Sequence, residues 1–532
     1  MIEVDAVVIG AGPNGLVGAN LLADRGWDVL VLEANDQPGG AVRTAEVTAP
    51  GFRNDLFSAF YPLAGSSHVL QDLHLEDHGL RWVHAPRVLA HPRADGPTAV
   101  LDRDPAVTAA SLDADAPGDG DAYLALYRRW ERIGPGLMRA LLSPFPPVRG
   151  GLRLAAATLG RDARDTARLA ILPLRRMVDE HFGGETAKLL FAGNALHADL
   201  TPEGAGSGLF GWLMTGLGQQ VGFPVPQGGA GCLTDALVAR LTSVGGQLRC
   251  GARVEHVIVG DGRAAGVRLA GGEQVRVRRA VLADCHAQRL YRDLVGVDEL
   301  PARTVADLER FQSGSATVKV DWALSGPIPW RSPDVAGAGT VHVASSLDEL
   351  TMSSAQLSMD QVPAKPFLLV GQMTTADPTR SPPGTESAWA YTHVPVRPGG
   401  DAGGGGIEGH WGGADLDTFS ARMEARVEAL APGFGDLVLD RYVAGPRELE
   451  AADANLVDGD IGGGTSQLHQ QLIFRPVGGL GRAETPIVGL YLASASAHPG
   501  GGVHGACGAN GARAALAHDR LTRVRARLSR GS

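Results

Sequence analysis

Cysteine is scarce in this chain: four in 532 residues, Cys232, Cys250, Cys285 and Cys507. No two of them have CxxC spacing, which excludes a local redox dithiol and a Cys-rich zinc site, so no metal is expected. A reduced, cytoplasmic compartment is the simplest fit. Long apolar runs are absent as well. No stretch reaches the ~18 consecutive apolar residues of a membrane-spanning helix. The richest candidate, Leu209 to Leu217, is short and contains glycines. A basic excess is also missing, because 48 Lys and Arg face 58 Asp and Glu, for a net charge of −10. Nucleic acid is therefore excluded as a partner, since phosphate binding needs a basic face. Only the tail, Arg520 to Ser532, is Arg-rich. It reads either as a solvated helix end, which cations suit, or as a weak peripheral membrane contact. The start carries Glu3 and Asp5 straight into an apolar strand and is unlike a signal peptide.

What is present is the composition of a folded protein, 44% hydrophobic and 20% charged. The length calls for two or more cores. Ala6 to Ile9 reads as a strand, Gly15 to Arg25 as a helix and Asp28 to Glu33 as a second strand, a β-α-β unit of about 30 residues. Asp113 to Asp121 reads as an acidic surface loop, and Pro144 to Gly151 as a break. Leu233 to Val244 reads as a helix. Arg253 to Val259, Ala264 to Leu269 and Val275 to Leu282 read as a small sheet. Gly399 to Gly409 reads as an exposed, mobile loop, Ile487 to Ala493 as a strand and Ala512 to Leu521 as a helix.

The strongest chemical signal is Gly10-Ala11-Gly12-Pro13-Asn14-Gly15, between a strand and a helix. Gly10 permits a tight turn, Gly12 lets backbone approach a diphosphate, and Gly15 allows helix to pack on sheet. The diphosphate then meets the free N–H groups of the helix N-terminus. Glu33 ends the second strand, where a carboxylate accepts from ribose hydroxyls. The segment Gln37-Pro38-Gly39-Gly40-Ala41-Val42-Arg43-Thr44 follows, with two glycines for close passage and a guanidinium fork on Arg43. Far along the chain, Thr485 to Ala493 runs into a glycine loop, Ser494 to Ala506, ahead of a helix whose positive end would favour a reduced flavin.

With these segments the chain resembles the phytoene desaturase and carotenoid isomerase group of FAD oxidoreductases, which sits with the flavin amine oxidases in a glutathione-reductase-like superfamily. VVIGAGPNGL, VLEANDQPGGAVRT, FPVPQGGAGCLTDAL and TPIVGLYLASASAHPGGGVHGACGANGARAAL carry the match, with Gly459 to Gly464, Gln471 and Arg475-Pro476. Within the group it is similar to the branch of pyridine nucleotide-disulphide oxidoreductase domain-containing proteins, although no CxxC supports a disulphide reductase. The resemblance implies an α/β fold. Residues 1–75, 225–290 and 456–522 would make a Rossmann-type FAD-binding domain, interleaved with an α+β substrate domain of 76–224 and 291–455. Residues 523–532 would be a basic tail. It implies that Gly10, Gly12, Pro13, Asn14, Gly15, Glu33, Ala34, Gly39, Gly40, Ala41 and Arg43 hold the adenosine and diphosphate. Val254 would contact adenine through its backbone, and Gly502 and Val503 would lie by the isoalloxazine. Relatives often carry glycine where this chain has Ser494, which bears on flavin packing.

The implied activity is desaturation of a small apolar or polyene substrate by hydride transfer to FAD, with oxygen or a quinone as final acceptor. Amine oxidation, redox-neutral isomerisation and a non-catalytic flavin scaffold are the alternatives. An amine site commonly has an aromatic pair, and none is evident near the C-terminal loop among 7 Tyr and 8 Trp. His498 and His504 each read as an acid–base group facing the flavin or as a pin for the glycine loop; His498 is the catalytic candidate. Asp460 reads as loop structure or site, and Gln467, Gln470 and Gln471 as a polar spot in a channel. Leu209 to Met214 reads as tunnel wall or as core.

Overall fold

The computed structural model describes residues 2–158, 161–479 and 481–529. The N-terminal elements are β1 (Ile2–Ile9), α1 (Pro13–Ala23) and β2 (Val29–Leu32), followed by the hairpin β3 (Arg87–Arg93) and β4 (Gly96–Leu101). Then come α2 (Ser207–Val221), α3 (Gly231–Ser243), β5 (Gln247–Arg249), β6 (Val254–Gly260), β7 (Arg263–Leu269) and β8 (Gln274–Ala283). The rest of the frame is β9 (Ala316–Leu324), β10 (Ala338–Val343), β11 (Leu368–Gln372), β12 (Glu386–Val394), α4 (Gly413–Leu430), β13 (Val438–Ala444), β14 (Leu490–Leu492) and α5 (Ala506–Leu528).

One seven-stranded sheet runs β6-β7-β8-β1-β2-β5, with β14 also paired to β8. Val4 to Ile9 is buried without a break, as a strand with parallel neighbours on both sides must be. β8 does two jobs. One edge pairs in parallel with β1 from Val275 to Ala283. On the other edge Gln274–Arg276 continue the antiparallel β6-β7 meander, while Val281–Ala283 pair in parallel with β14. The segment expected to close a small sheet is thus also a central strand of the large one. α1 and α5 cross backbone to backbone: a Cβ on Gly508 would lie 1.8 Å from the Asn14 carbonyl oxygen. Only glycine allows that approach.

The second sheet runs β13-β9-β12-β11-β10-β3-β4 and is antiparallel except where β10 meets β3. Along β9, β11 and β12 the side chains alternate. Val318, Val320, Trp322, Val341, Val370 and Ala390 pack with Phe419, Met423 and Val427 of α4 in one core. The opposite face carries Thr317, Lys319, Asp321, Thr340, Leu369, Trp389 and Tyr391, and this face meets the cavity described below. A one-residue slip would exchange the two sets.

Two expectations are corrected, the acidic loop and the C-terminal bounds, while the 399–409 loop is exposed over Ala402 to Gly406 as expected. Asp119, within the presumed acidic loop, is buried and accepts from the Gly183 and Gly184 N–H groups at 2.8 Å each. The 399–409 loop is built around the Asp401 carboxylate, which accepts from Gly403, Gly405 and Arg422 at 2.8–2.9 Å. The C-terminal strand is three residues long, and its helix starts at Ala506 rather than Ala512. Among the described residues no helix is long and apolar enough to cross a membrane.

Candidate active site and its glycine cradle

Pro13 opens α1, where its missing N–H costs nothing and its fixed φ suits the helix. Gly10 takes φ +92°, and a Cβ on Gly15 would lie 2.3 Å from the Gly10 carbonyl oxygen. The turn is closed from the far side by Asp284, just past β8. Its Oδ2 accepts from Gly15 N–H at 2.7 Å and would lie 2.7 Å from a Cβ on Gly12. Two of the glycines are therefore required by a carboxyl of the chain itself. Burial pushes the Asp284 carboxyl up to about 8, with the neighbouring Asp453 and Glu33 charges adding to the shift. Asp284 went unnoticed in the sequence; its signal is an acid placed directly after an apolar strand, Val281-Leu282-Ala283.

Glu33 is buried and accepts from Ala11 N–H at 2.8 Å and Asn35 N–H at 2.9 Å, one on each oxygen, with Ala34 between. Gly39 donates to the Ala11 carbonyl at 2.9 Å, which brings the second glycine pair against the first turn. A Cβ on Gly40 would lie 3.2 Å from the Gly12 Cα. Gly12, Pro13, Asn14, Gly40 and Ala41 line one end of a large cavity. Gly10, Gly15, Glu33, Ala34, Gly39 and Arg43 are not part of that lining. The Arg43 fork is spent on the Gly40 and Ala452 carbonyls, at 2.9 and 2.7 Å. Val254 opens β6 away from the cavity lining, but Ala252 N–H donates to the Glu33 carbonyl at 2.7 Å, which seats that strand beside Glu33.

The C-terminal loop forms the middle of the cavity. Gly500 and Gly502 take φ +113° and +111°, and Gly502, Val503 and His504 line the wall. Arg475, 1% exposed, holds this loop from behind by donating to the carbonyls of Ala495, Thr465 and Gly462 at 2.8–2.9 Å. Asp460 accepts from Gly314, Gly462 and Gly464 N–H groups at 2.7–2.8 Å, a loop-building role. Ser494 donates to the Cys285 carbonyl at 2.7 Å, joining the end of β14 to the end of β8. His504 accepts from Ala506 N–H at 3.0 Å through Nδ1 and caps α5; burial lowers its pKa to about 4, so it is neutral.

His498 is not in the cavity lining. Its Nε2 lies 3.1 Å from the Ser143 carbonyl, its ring meets Phe145 edge-on, and burial lowers its pKa. This geometry pins the loop. Gln471 reaches the cavity, whereas Gln470 is tied to the Gln312 backbone and Gln467 lies outside. The ambiguous run on α2 divides by helical spacing: Phe210, Leu213 and Met214 line the cavity and Trp212 is buried core.

The cavity, about 370 Å³, runs from the glycine cradle past the C-terminal loop into a chamber of Phe60, Phe210, Leu213, Met214, Phe223 and Leu369. Its far wall is the second sheet, and here the residues that sequence reading missed come together. Lys319, buried on β9, pairs with Asp321 and lies 5.9 Å from the Trp389 ring centroid. Trp389 and Tyr391 stack at 5.9 Å and 25°, so an aromatic pair exists, supplied by β12 rather than by the C-terminal region. His393 pairs with Asp199 at 2.5 Å, which raises the His393 pKa against the opposing effect of burial; Asp199 is held at φ +56°. His197 Nε2 meets His342 Nε2 at 2.6 Å, and burial keeps both rings neutral, His197 at about 3. The readable signal was Thr317-Val318-Lys319-Val320-Asp321, a polar residue at every second position of a strand. Among the described residues no group of His, Cys, Asp and Glu could hold a metal.

Residues 8–74 match the model of the NAD(P)-binding Rossmann-like domain. A mouse protein, pyridine nucleotide-disulfide oxidoreductase domain-containing protein 2, is 30% identical, over 96% of this chain and 93% of its own. The lycopene-forming phytoene desaturase of Pseudescherichia vulneris is 26% identical over 96% of this chain and 98% of its own. Among solved structures, a putrescine oxidase bound to putrescine superposes with a TM-score of 0.62 at 15% identity, covering 98% of this chain and 99% of that one, a likeness of fold. The chain belongs to the oxidoreductase family that holds pyridine nucleotide-disulfide oxidoreductase domain-containing protein 2 together with the phytoene desaturases.

Proposed function

We propose that the protein is an FAD-dependent oxidoreductase that desaturates a largely apolar substrate. The observation that carries this reading is the continuity of one cavity from a glycine cradle at a helix N-terminus to an apolar chamber. The cradle fits a dinucleotide: Gly12 and Gly40 leave no room for side chains, and Asn14 Oδ1 is buried at the wall without a partner. Gly12, Pro13, Asn14, Gly40 and Ala41 would hold the diphosphate, Glu33 the ribose, and Gly502 and Val503 the ring system. FAD bound there supplies a hydride acceptor, N5, which oxygen or a quinone can regenerate.

The chain's own contribution is shape, dryness and charge. A carboxyl of raised pKa at Asp284 relieves the clash that three acids, Asp284, Asp453 and Glu33, would otherwise present to a diphosphate. Phe210, Leu213, Met214 and Phe223 exclude water from the chamber. Asp199, paired with His393, and the neutral His197 line it. The Trp389–Tyr391 stack favours amine oxidation as a second reading. Against it, both carboxylates near that stack, Asp321 and Asp199, are already paired with cations.

Denatured protein should release FAD; release of FMN alone, or of NAD without flavin, overturns the cofactor assignment. Mass spectrometry after aerobic turnover of polyenes, amines and saturated lipids tests the reaction. Loss of two hydrogens with an intact skeleton is the expected result. An aldehyde with ammonia establishes amine oxidation, and an unchanged mass with altered double-bond geometry establishes isomerisation.

A further inference from the structure

The sheet wall of the chamber is balanced in charge yet short of hydrogen-bond partners. Lys319 pairs with Asp321, His393 with Asp199, and behind them fully buried Arg380 pairs with Asp55 at 2.9 Å. His91, His197 and His342 are kept neutral by burial. At this end of the cavity, among the described residues, every formal charge is therefore matched. The neutral polar atoms are not. Thr340 Oγ1 lines the cavity, in a residue only 1% exposed, and has no partner. The Tyr391 hydroxyl makes no hydrogen bond among the described residues. Lys319 has three N–H donors, and Asp321 is its one hydrogen-bond partner. Register sets them on one face: His342, Leu369, Tyr391 and Lys319 form one cross-strand row, with Tyr391 and Lys319 directly paired on adjacent strands, and Thr340, Gly371, Trp389 and Asp321 form the next. A Cβ on Gly371 would lie 2.3 Å from the Trp389 ring, so the indole lies across that strand toward Thr340.

We propose that this wall binds a neutral oxygen, hydroxyl or carbonyl, at one end of an otherwise apolar substrate. Tyr391 O–H and a free Lys319 N–H, from directly paired residues of adjacent strands, donate to it. A carboxylate or an ammonium would arrive without a counter-charge, which a dry site penalises heavily. A bare hydrocarbon would leave buried polar atoms unsatisfied. The proposal deepens the apolar-substrate reading and rests on it.

Equilibrium dialysis against the flavin-loaded protein tests it with three probes: farnesol, the C15 hydrocarbon lacking its hydroxyl, and farnesoic acid. Farnesol should bind about tenfold or more tighter than either of the others. Tyr391→Phe, which keeps shape and leaves the Lys319–Asp321 pair intact, should shrink the farnesol advantage severalfold and leave hydrocarbon binding unchanged. Equal binding of farnesol and hydrocarbon overturns the proposal while the apolar reading stands. Tightest binding of the acid overturns it too. Binding of none of the three removes the apolar reading and the proposal together.

Discussion

Asp284 places a carboxyl against the first turn of α1, where one N–H donor meets it and it is 6% exposed. In the unfolded chain this group ionises near 3.8, and in the folded protein near 8. Between those values the folded state holds a proton that the unfolded state has lost, so stability falls as pH rises through the window. The slope contributed is at most about 1.4 kcal/mol per pH unit. Asp284→Asn keeps an acceptor for Gly15 N–H and removes the titration. Thermal melts from pH 5 to 8 should show the wild type losing stability more steeply than the variant. Parallel curves would mean that Asp284 is ionised in the fold. The same residue shows why the cradle was only partly legible. Gly10, Gly12 and Gly15 announce a close approach, but Asp284 lies 269 residues from the donor it meets, and no local pattern connects them.

Among the elements, legibility follows contact range. β1, α1 and β2 were read to within a few residues because strand, turn and helix are adjacent in the chain. The antiparallel β6-β7-β8 meander was read for the same reason. The double use of β8 and the whole second sheet were not, since their pairings link residues dozens to hundreds apart. α2 was ambiguous because an apolar run gives periodicity without saying what lies opposite each face. The structure answers with a test. Trp212 is 2% exposed, meets Trp130 edge-on and donates to the Leu126 carbonyl at 3.1 Å. Trp212→Ala should cost about 3–5 kcal/mol. Phe210, two residues earlier, faces the chamber. Phe210→Ala should cost under about 1 kcal/mol and raise the KM of a chamber-filling substrate severalfold. Denaturant midpoints and steady-state kinetics on the two variants check the pair; similar midpoints would show that α2 does not divide between core and cavity.

At the scale of the whole molecule, the two sheets bear on which electron donors can be used. A pyridine-nucleotide disulphide reductase needs two nucleotide-binding units and a reactive dithiol. Here the first sheet carries two glycine turns at the ends of parallel strands, Gly10 to Gly15 after β1 and the loop after β14, and both line the same cavity, so among the described residues they make one site. The second sheet is almost wholly antiparallel, with its outer face under α4 and its inner face given to the chamber. An antiparallel sheet lacks the strand–turn–helix crossover whose N-terminus receives a diphosphate. The four cysteines are all unpaired, and Cys285 and Cys507 are buried, with burial pushing both thiols up, Cys507 to about 12. A thiol held protonated in this way is a poor nucleophile. NADH and NADPH should therefore reduce the bound flavin far more slowly than a turnover on the order of 10 per second requires. Anaerobic stopped-flow mixing measures this directly, and a soluble disulphide supplied as oxidant should not be reduced. Flavin bleaching by either nucleotide within a single turnover time would refute the argument, because it would require a nucleotide site that neither sheet supplies.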